Sequence, residues 1–205
     1  MDPQNIRNII FDLGGVILNI DYHRTTQSFI DLGITNFNEL YSQFHADRFF
    51  EDFEKGMVEE ATFIQKLKSH VPAVSEKDIL TSWNAMLLDF PARRINFLMK
   101  LKSKYRTFLL SNTNVIHHRA FQNILLDTTG TLNECFEKAY YSHELGLRKP
   151  DKEILQLVLA ENKLLPEETL FFDDTLANID TARLLKLQVH YVKPGERMEE
   201  LLREF

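Results

Sequence analysis

The sequence has little of what would tie it to a membrane, an oxidising compartment or a nucleic acid. One cysteine, Cys135, stands among 205 residues, which excludes an internal disulfide and any multi-cysteine zinc site. It sits in the polar stretch Thr131 to Lys138 and reads as a plain thiol. No apolar run approaches the length of a membrane span. The opening Met1-Asp2-Pro3-Gln4-Asn5 lacks the basic and apolar regions of a signal peptide. Positive charge is also short: 24 Lys and Arg face 30 Asp and Glu, a formal net charge of −6. Such a chain is a poor candidate for nucleic acid or an anionic membrane, although a local basic pocket for a small anion stays open. Repeats, low-complexity tracts, like-charge blocks and sustained heptads are missing. These absences predict a soluble, cytoplasmic monomer with no nucleic-acid and no membrane partner.

What is present is an ordinary globular mixture, 44% hydrophobic and 26% charged, long enough for one well-buried domain and a small extra module. Five short apolar segments each run into a polar loop. Asn8 to Phe11 leads to Asp12, Arg106 to Leu110 leads to Ser111, and Ala139 to Tyr141 leads to Ser142. Thr169 to Phe172 leads to Asp173-Asp174, and Val189 to Val192 leads to Lys193-Pro194-Gly195. Continuous β-branched and aromatic runs suit strands buried on both faces. Helical patterns lie between them, ending at Leu98-Leu101-Lys102 and covering Asp151 to Glu161 and Leu176 to Leu187. Alternating strand and helix predicts an α/β, Rossmann-like parallel sheet.

Residues 19–91 break the rhythm. Helical patterns occur at Asp21 to Leu32 and Glu59 to His70, with a turn at Lys55-Gly56 and a helix end at Val71-Pro72. The expectation is an inserted α-helical module over 19–91 and a discontinuous sheet domain formed by 1–18 and 92–205.

Ligands of open parallel sheets bind at the carboxyl ends of the strands. Those ends carry Asp12, Ser111, the loop from Ser142 to Lys149, and Asp173-Asp174. Three carboxylates cannot sit together ionised without a cation. Oxygen ligands without histidine or thiol favour Mg2+ over zinc, and a lysine with a Ser-Asn pair opposite favours an anion such as phosphate.

Four segments, Phe11-Asp12-Leu13-Gly14-Gly15-Val16, Leu110-Ser111-Asn112-Thr113-Asn114, Gly146-Leu147-Arg148-Lys149-Pro150-Asp151 and Phe171-Phe172-Asp173-Asp174-Thr175-Leu176-Ala177-Asn178, stand in this order along the chain. In that order, each at a strand end, they resemble the motifs of the haloacid dehalogenase superfamily over essentially the whole chain, and residues 19–91 match its helical-cap branch. The resemblance implies a Mg2+-dependent phosphatase acting on a small phosphorylated substrate through an aspartyl-phosphate. Asp12 would be the nucleophile and a metal ligand, joined on the metal by the Gly14 backbone carbonyl and Asp174. Asp173 and Asn178 would act from the outer shell. Ser111, the Asn112 backbone and Lys149 would hold the phosphate, with Lys149 also serving catalysis.

The sequence departs from the family at Gly14, where phosphatases usually carry a second aspartate as general acid and base. A subgroup of capped sugar-phosphate phosphatases, bacterial α-D-glucose-1-phosphate phosphatases among them, also has glycine there, which implies a sugar phosphate. Asp21, His23 or a metal-bound water are the candidate replacements. A haloacid dehalogenase proper would lack the Asp173-Asp174 pair, and a non-catalytic phosphate-binding or regulatory module is the remaining alternative. His117-His118 read as solvated, Phe49, Phe50 and Phe53 as cap core, and His45 and Arg48 as neighbours of a cap turn.

Overall fold

The computed structural model describes residues 5–46, 48–126 and 132–202. In chain order the elements are β1 (Asn8–Phe11), five helices α1 (Tyr22–Asp31), α2 (Phe37–Ala46), α3 (Phe49–Glu54), α4 (Glu60–Lys68) and α5 (Glu76–Asn84), and then α6 (Ala92–Leu101). There follow β2 (Arg106–Ser111), α7 (Val115–Leu126), α8 (Leu132–Cys135), β3 (Lys138–Tyr141), α9 (Ser142–Leu145) and α10 (Lys152–Asn162). The chain closes with β4 (Thr169–Asp173), α11 (Leu176–Leu184), β5 (Gln188–Tyr191) and α12 (Met198–Leu201).

The five strands form one sheet in the order β3-β2-β1-β4-β5, and every neighbouring pair is parallel. From β1 the chain steps outward to β2 and β3, then returns to the far side of β1 for β4. That reversal opens a crevice at the carboxyl ends of β1, β2 and β4. Side chains alternate between faces along each strand. Ile9, Phe11, Leu109, Leu170 and Phe172 enter one core, while Ile10, Phe108, Leu110 and Phe171 enter the core on the other face. All these positions are buried, which is why the strands read as continuous apolar runs rather than as alternating ones.

The inserted helices are short, between 6 and 10 residues, and helices of this length do not persist in water without tertiary packing. Their packing is a third core built largely of rings: Phe29, Phe37, Phe50, Phe53, Phe63 and Trp83. Phe53 stacks on Phe63 at 3.9 Å and Phe29 on Phe37 at 4.4 Å. Such pairs contribute about 0.5–1.5 kcal/mol beyond their burial. Phe50 and Phe53 are thus buried in the core of these helices, and Phe49 packs partly buried against it.

Two connecting segments carry this layer. The Asn19 amide donates to the Asp89 carbonyl and the Leu88 amide to the Asn19 carbonyl, both at 3.0 Å. Buried Arg94 secures the joint from the sheet side, donating to the Ile17 carbonyl at 3.1 Å and to Asn19 Oδ1 at 2.9 Å. A second joint lies at the turn after α3. There Arg148 meets Glu54 at 2.9 Å and Glu51 at 3.5 Å, and Lys55 meets Asp151 at 3.5 Å. Gly56 has φ +68, and a Cβ on it would fall 2.3 Å from the His143 carbonyl oxygen. Only glycine allows both that conformation and that approach.

Candidate active site

Asp12 follows the last residue of β1, and its amide donates to the Phe172 carbonyl of β4 at 2.8 Å. This hydrogen bond continues the ladder one step beyond the strand and aims the carboxylate into the crevice. Lys149 reaches the same point from the loop after α9. Its ammonium lies 2.7 Å from Asp12 Oδ1 and 2.7 Å from Asp173 Oδ2, with the side chain almost wholly buried. Asp174, next along, completes a trio of carboxylates whose oxygens lie within 4.8 Å of one another.

The electrostatics follow from counting charges. Three carboxylates face one ammonium. Burial raises the Asp12 pKa against the pull of Lys149, and the Asp173 and Asp174 charges raise it further. Burial and the Asp173 charge likewise raise that of Asp174. Burial alone would lower the Lys149 pKa, but the charges of Asp12 and Asp173 outweigh it and keep the lysine cationic. The uncompensated negative charge is what a divalent cation relieves. The backbone is shaped to the same end: Gly15 has φ +73, and a Cβ there would overlap Asp174 Oδ2 at 2.1 Å. All-oxygen donors and this packed cradle fit Mg2+, with Asp12, Asp174 and the Gly14 carbonyl as the groups that would hold it.

Around this centre the structure gives each expected residue a position. Asp173 is fully buried and saturated: Thr175 N donates to Oδ1 at 2.8 Å and Asn178 Nδ2 to both oxygens at 3.0 Å, besides Lys149. Asn178 thus contacts Asp173, and Asp173 contacts Lys149. Ser111, the last residue of β2, is 3% exposed at the crevice. Asn112 contributes its side chain as a strut, accepting from Lys149 N at 2.9 Å and donating to Lys149 O at 2.8 Å. That double contact fixes the backbone from which the lysine reaches in.

At Gly14 a Cβ would lie 3.2 Å from Ile20 Cδ1, so an apolar linker side chain borders the place of the family's second aspartate. Asp21 caps α1, accepting from His23 N at 3.0 Å, and also pairs with Arg24 at 3.6 Å. The residue between Asp21 and His23 is the one that lines the cleft with Asp12, Gly14, Lys149 and Asp174: Tyr22, together with Glu54 and Arg148. Tyr22 is 63% exposed overall; desolvation where it borders the cleft, then the charges of Asp12 and Asp174, push its hydroxyl pKa upward, so it remains a proton-bearing donor. Tyr22 and Glu54 belong to no motif, and Arg148 lies within the Gly146 to Asp151 segment without a role read from it, although Tyr22 was open to notice as the first helical residue beyond an Asp cap.

A chamber of about 370 Å3 extends from the cleft under the helices, sharing Tyr22, Glu54 and Asn112 with it. Its walls combine Phe37, Phe50, Phe53 and Trp83 with the polar Thr25, Tyr41, Asn114 and His117. The expectation that His117-His118 are solvated is corrected here. His117 is 8% exposed and His118 half-buried, because the inserted α5 covers the start of α7. The His117 ring stacks on Trp83 at 5.0 Å with 12° between planes. Asn114 Nδ2 donates to Nδ1 at 3.1 Å, which leaves Nε2–H to donate to the Trp83 carbonyl at 3.1 Å. Burial drops the His117 pKa to about 4, so the imidazole is neutral. Arg48 is exposed and pairs with Glu51 at 3.4 Å, away from the chamber; the His45 side chain lies outside the described residues. Cys135 is fully buried, and burial raises its thiol pKa to about 11, consistent with an inert thiol.

Comparison with known proteins gives this geometry its place. Residues 6–185 match the model of a haloacid dehalogenase-like hydrolase. A D-ribitol-5-phosphate phosphatase from Bacteroides thetaiotaomicron is 29% identical over 192 residues, covering 93% of each chain. The crystal structure of an HAD family enzyme from the same species, in complex with magnesium and inorganic phosphate, superposes with TM-score 0.89 at 36% identity, over 97% of this chain and 100% of that one. A predicted HAD-like family hydrolase from Porphyromonas gingivalis superposes with TM-score 0.85 at 30% identity over 97% of both chains. Among the described residues, no helix is long and apolar enough to cross a membrane. With the motif order, the sheet order and the acidic cleft in agreement, the chain belongs to the haloacid dehalogenase-like hydrolase family.

Proposed function

We propose that this protein is a Mg2+-dependent phosphatase that hydrolyses a small sugar or polyol phosphate through a phospho-Asp12 intermediate. The observation that carries this reading is the pairing of Lys149 with both Asp12 and Asp173 beside Asp174, at the crevice of the sheet. Crystal structures of the B. thetaiotaomicron HAD family enzyme with magnesium, and with magnesium and inorganic phosphate, support the cofactor and the ligand class, and the ribitol-5-phosphate phosphatase supports the substrate class. In this reading residues 19–91 are the cap, and 1–18 with 92–205 the catalytic core.

The chemistry follows from the residues. A carboxylate oxygen of Asp12 attacks phosphorus, a P–O bond forms, and the bond to the leaving alcohol breaks. Bound Mg2+ would supply charge neutralisation at the phosphoryl oxygens. Lys149 has three N–H donors, of which Asp12 and Asp173 hold two; the third serves a phosphate oxygen. Ser111 and the Asn112 backbone complete the phosphate seat. The departing alkoxide takes a hydrogen bond from the Tyr22 phenol at the cleft and a proton from solvent, leaving as the alcohol. Water then attacks the phosphorus of phospho-Asp12, the bond to the Asp12 oxygen breaks, and phosphate leaves with the carboxylate restored; the proton given up by that water balances the one the alkoxide took. The chamber's rings suit the C–H faces of a sugar or polyol, and its hydroxyl, amide and imidazole groups suit its hydroxyls.

The test is phosphate release from a panel of sugar and polyol phosphates, nucleotides and an activated aryl phosphate, with Mg2+ and with excess chelator. The expected result is Mg2+-dependent turnover of one or a few five- or six-carbon phosphates. Indifference to chelator would remove the metal from the reading. Binding of phosphate analogues with no turnover of any panel member would favour a non-catalytic module.

A further inference from the structure

A second group of ligand-type side chains lies outside the acidic cleft, and no residue of it lines that cleft. His118 on α7 and His143 and Glu144 on α9 place one donor atom each within 4.8 Å of the others. His118 Nδ1 is 4.0 Å from Glu144 Oε1, and the two imidazole rings are 5.1 Å apart at their centres.

The lone pairs are arranged for a cation. His143 Nδ1 is buried and has no hydrogen-bond partner among the described residues. The Thr113 backbone also lies against the ring; with Nε2 as the nitrogen that carries the proton, the unpartnered Nδ1 keeps a bare lone pair. His118 Nε2 lies 3.1 Å from the Gln122 amide. With the amide oxygen turned toward Nε2–H, an orientation equivalent in shape, Nδ1 presents its lone pair toward Glu144. Histidine ligands of metals are held in this way, by a hydrogen bond at the other ring nitrogen. Burial lowers the pKa of both imidazoles, keeping them in the neutral, ligating form.

We propose that His118, His143 and Glu144 form a three-ligand site for a borderline transition-metal ion, Zn2+ in the first instance. Two imidazoles and a carboxylate suit zinc and not the Mg2+ of the acidic cleft. Zinc–nitrogen bonds of about 2.0–2.1 Å in a tetrahedron require donors closer together than they stand here. Rotation of the half-exposed Glu144 side chain closes its own distances, and small turns of the two imidazole rings must close the distance between them. Three protein ligands leave the fourth position to water. The bound ion would tie α7 to α9 behind the phosphate loop. Ser142 Oγ there holds Thr113 N and Thr113 O, both at 2.9 Å, and the His143 carbonyl meets Gly56 of the cap.

The test is titration of ZnCl2 into the full chain under saturating MgCl2, in competition with a chromophoric chelator. One Zn2+ per chain is expected. His118→Gln and His143→Gln should each weaken it at least about tenfold, and Asp174→Asn should leave it unchanged. Zinc should raise the thermal midpoint of the wild type and not of the histidine variants. No zinc bound under saturating Mg2+ would overturn the proposal, as would affinity lost in Asp174→Asn but kept in His143→Gln. CoCl2 with the wild type gives a test independent of variant folding: a tetrahedral visible absorption band at one equivalent, Mg2+ present, is expected, and its absence overturns the site.

Discussion

The carboxyl edge of the sheet and the chamber under the helices adjoin, yet they are built on opposite principles. At the edge, buried charge is tied to buried charge at 2.7 Å. Every fixed group there answers to one small set of atoms. In the chamber, rings make most of the wall, and polarity comes from one neutral histidine, a few hydroxyls and amides, and Glu54 at the border with the cleft. The edge can polarise and attack a phosphoryl group but has little shape with which to choose among its esters. The chamber has shape and hydrogen-bonding groups but no charge arranged for bond breaking. Under the proposed function the edge would do the chemistry and the chamber would choose the substrate, and changes on the two sides should fail in different ways.

Asp12→Asn should have the largest effect, a loss of about 10^4-fold or more in phosphate release, as for other removed nucleophiles, with the circular-dichroism spectrum unchanged. Lys149→Met comes next. Removing a preorganised cation from the phosphoryl site costs about 10^2- to 10^3-fold in kcat, and leaving Asp173 buried without its partner costs about 3 kcal/mol or more in a denaturant titration. A Lys149→Met protein of wild-type stability would break the claim that the edge is a network of mutually paired charges.

On the chamber side, His117 ties cap to core through its neutral tautomer. Its pKa falls from 6.5 in the unfolded chain to about 4 in the folded one. The unfolded chain therefore binds more protons between those values, and stability rises with pH across that window. The contribution is fully present above about pH 6.5 and lost as pH falls through 4, worth at most about 3 kcal/mol. His117→Gln should flatten the stability profile between pH 4 and 6.5 in urea titrations; an unchanged profile would contradict the role. The smallest effect expected is that of Tyr22→Phe, about tenfold in kcat on alkyl phosphates. It should leave an activated aryl phosphate, whose leaving group needs no donor, at the wild-type rate. Equal losses on both substrates would move Tyr22 from leaving-group contact to general support of the fold.

The same division decides what could be read from sequence. The meeting of Asp12, Ser111 and the Asp173-Asp174 pair is legible because parallel strands deliver their ends to one edge, whereas Lys149, in the loop after α9, is legible only from the order of the motifs. The segments of β1, β2 and β4 are legible because burial on both faces writes an unbroken apolar run; the edge strands β3 and β5 are less buried and are legible from the polar loop after each. Tyr22, Glu54 and Arg148 are not, because their meeting depends on where the cap folds back: Arg148 Nε meets Glu54 Oε2 across 94 positions of chain. His117 is misread for the same reason, since the ring that covers it, Trp83, comes from a cap helix 34 positions away. Asn112 is legible as a site residue, but its side chain's grip on the Lys149 backbone is not, because a turn asparagine carries no sign of its distant partner.

The central claim is that Asp12 carries the phosphoryl group, and chemical trapping tests it most directly. The enzyme is quenched during turnover of its best substrate with Mg2+, reduced with borohydride and peptide-mapped; reduction converts an acyl-phosphorylated aspartate to homoserine. The account predicts homoserine at position 12 in the turning-over wild type, and none when substrate is withheld or in Asp12→Asn. Substrate turnover by Asp12→Asn at the wild-type rate, with position 12 of the wild type unmodified, would contradict it.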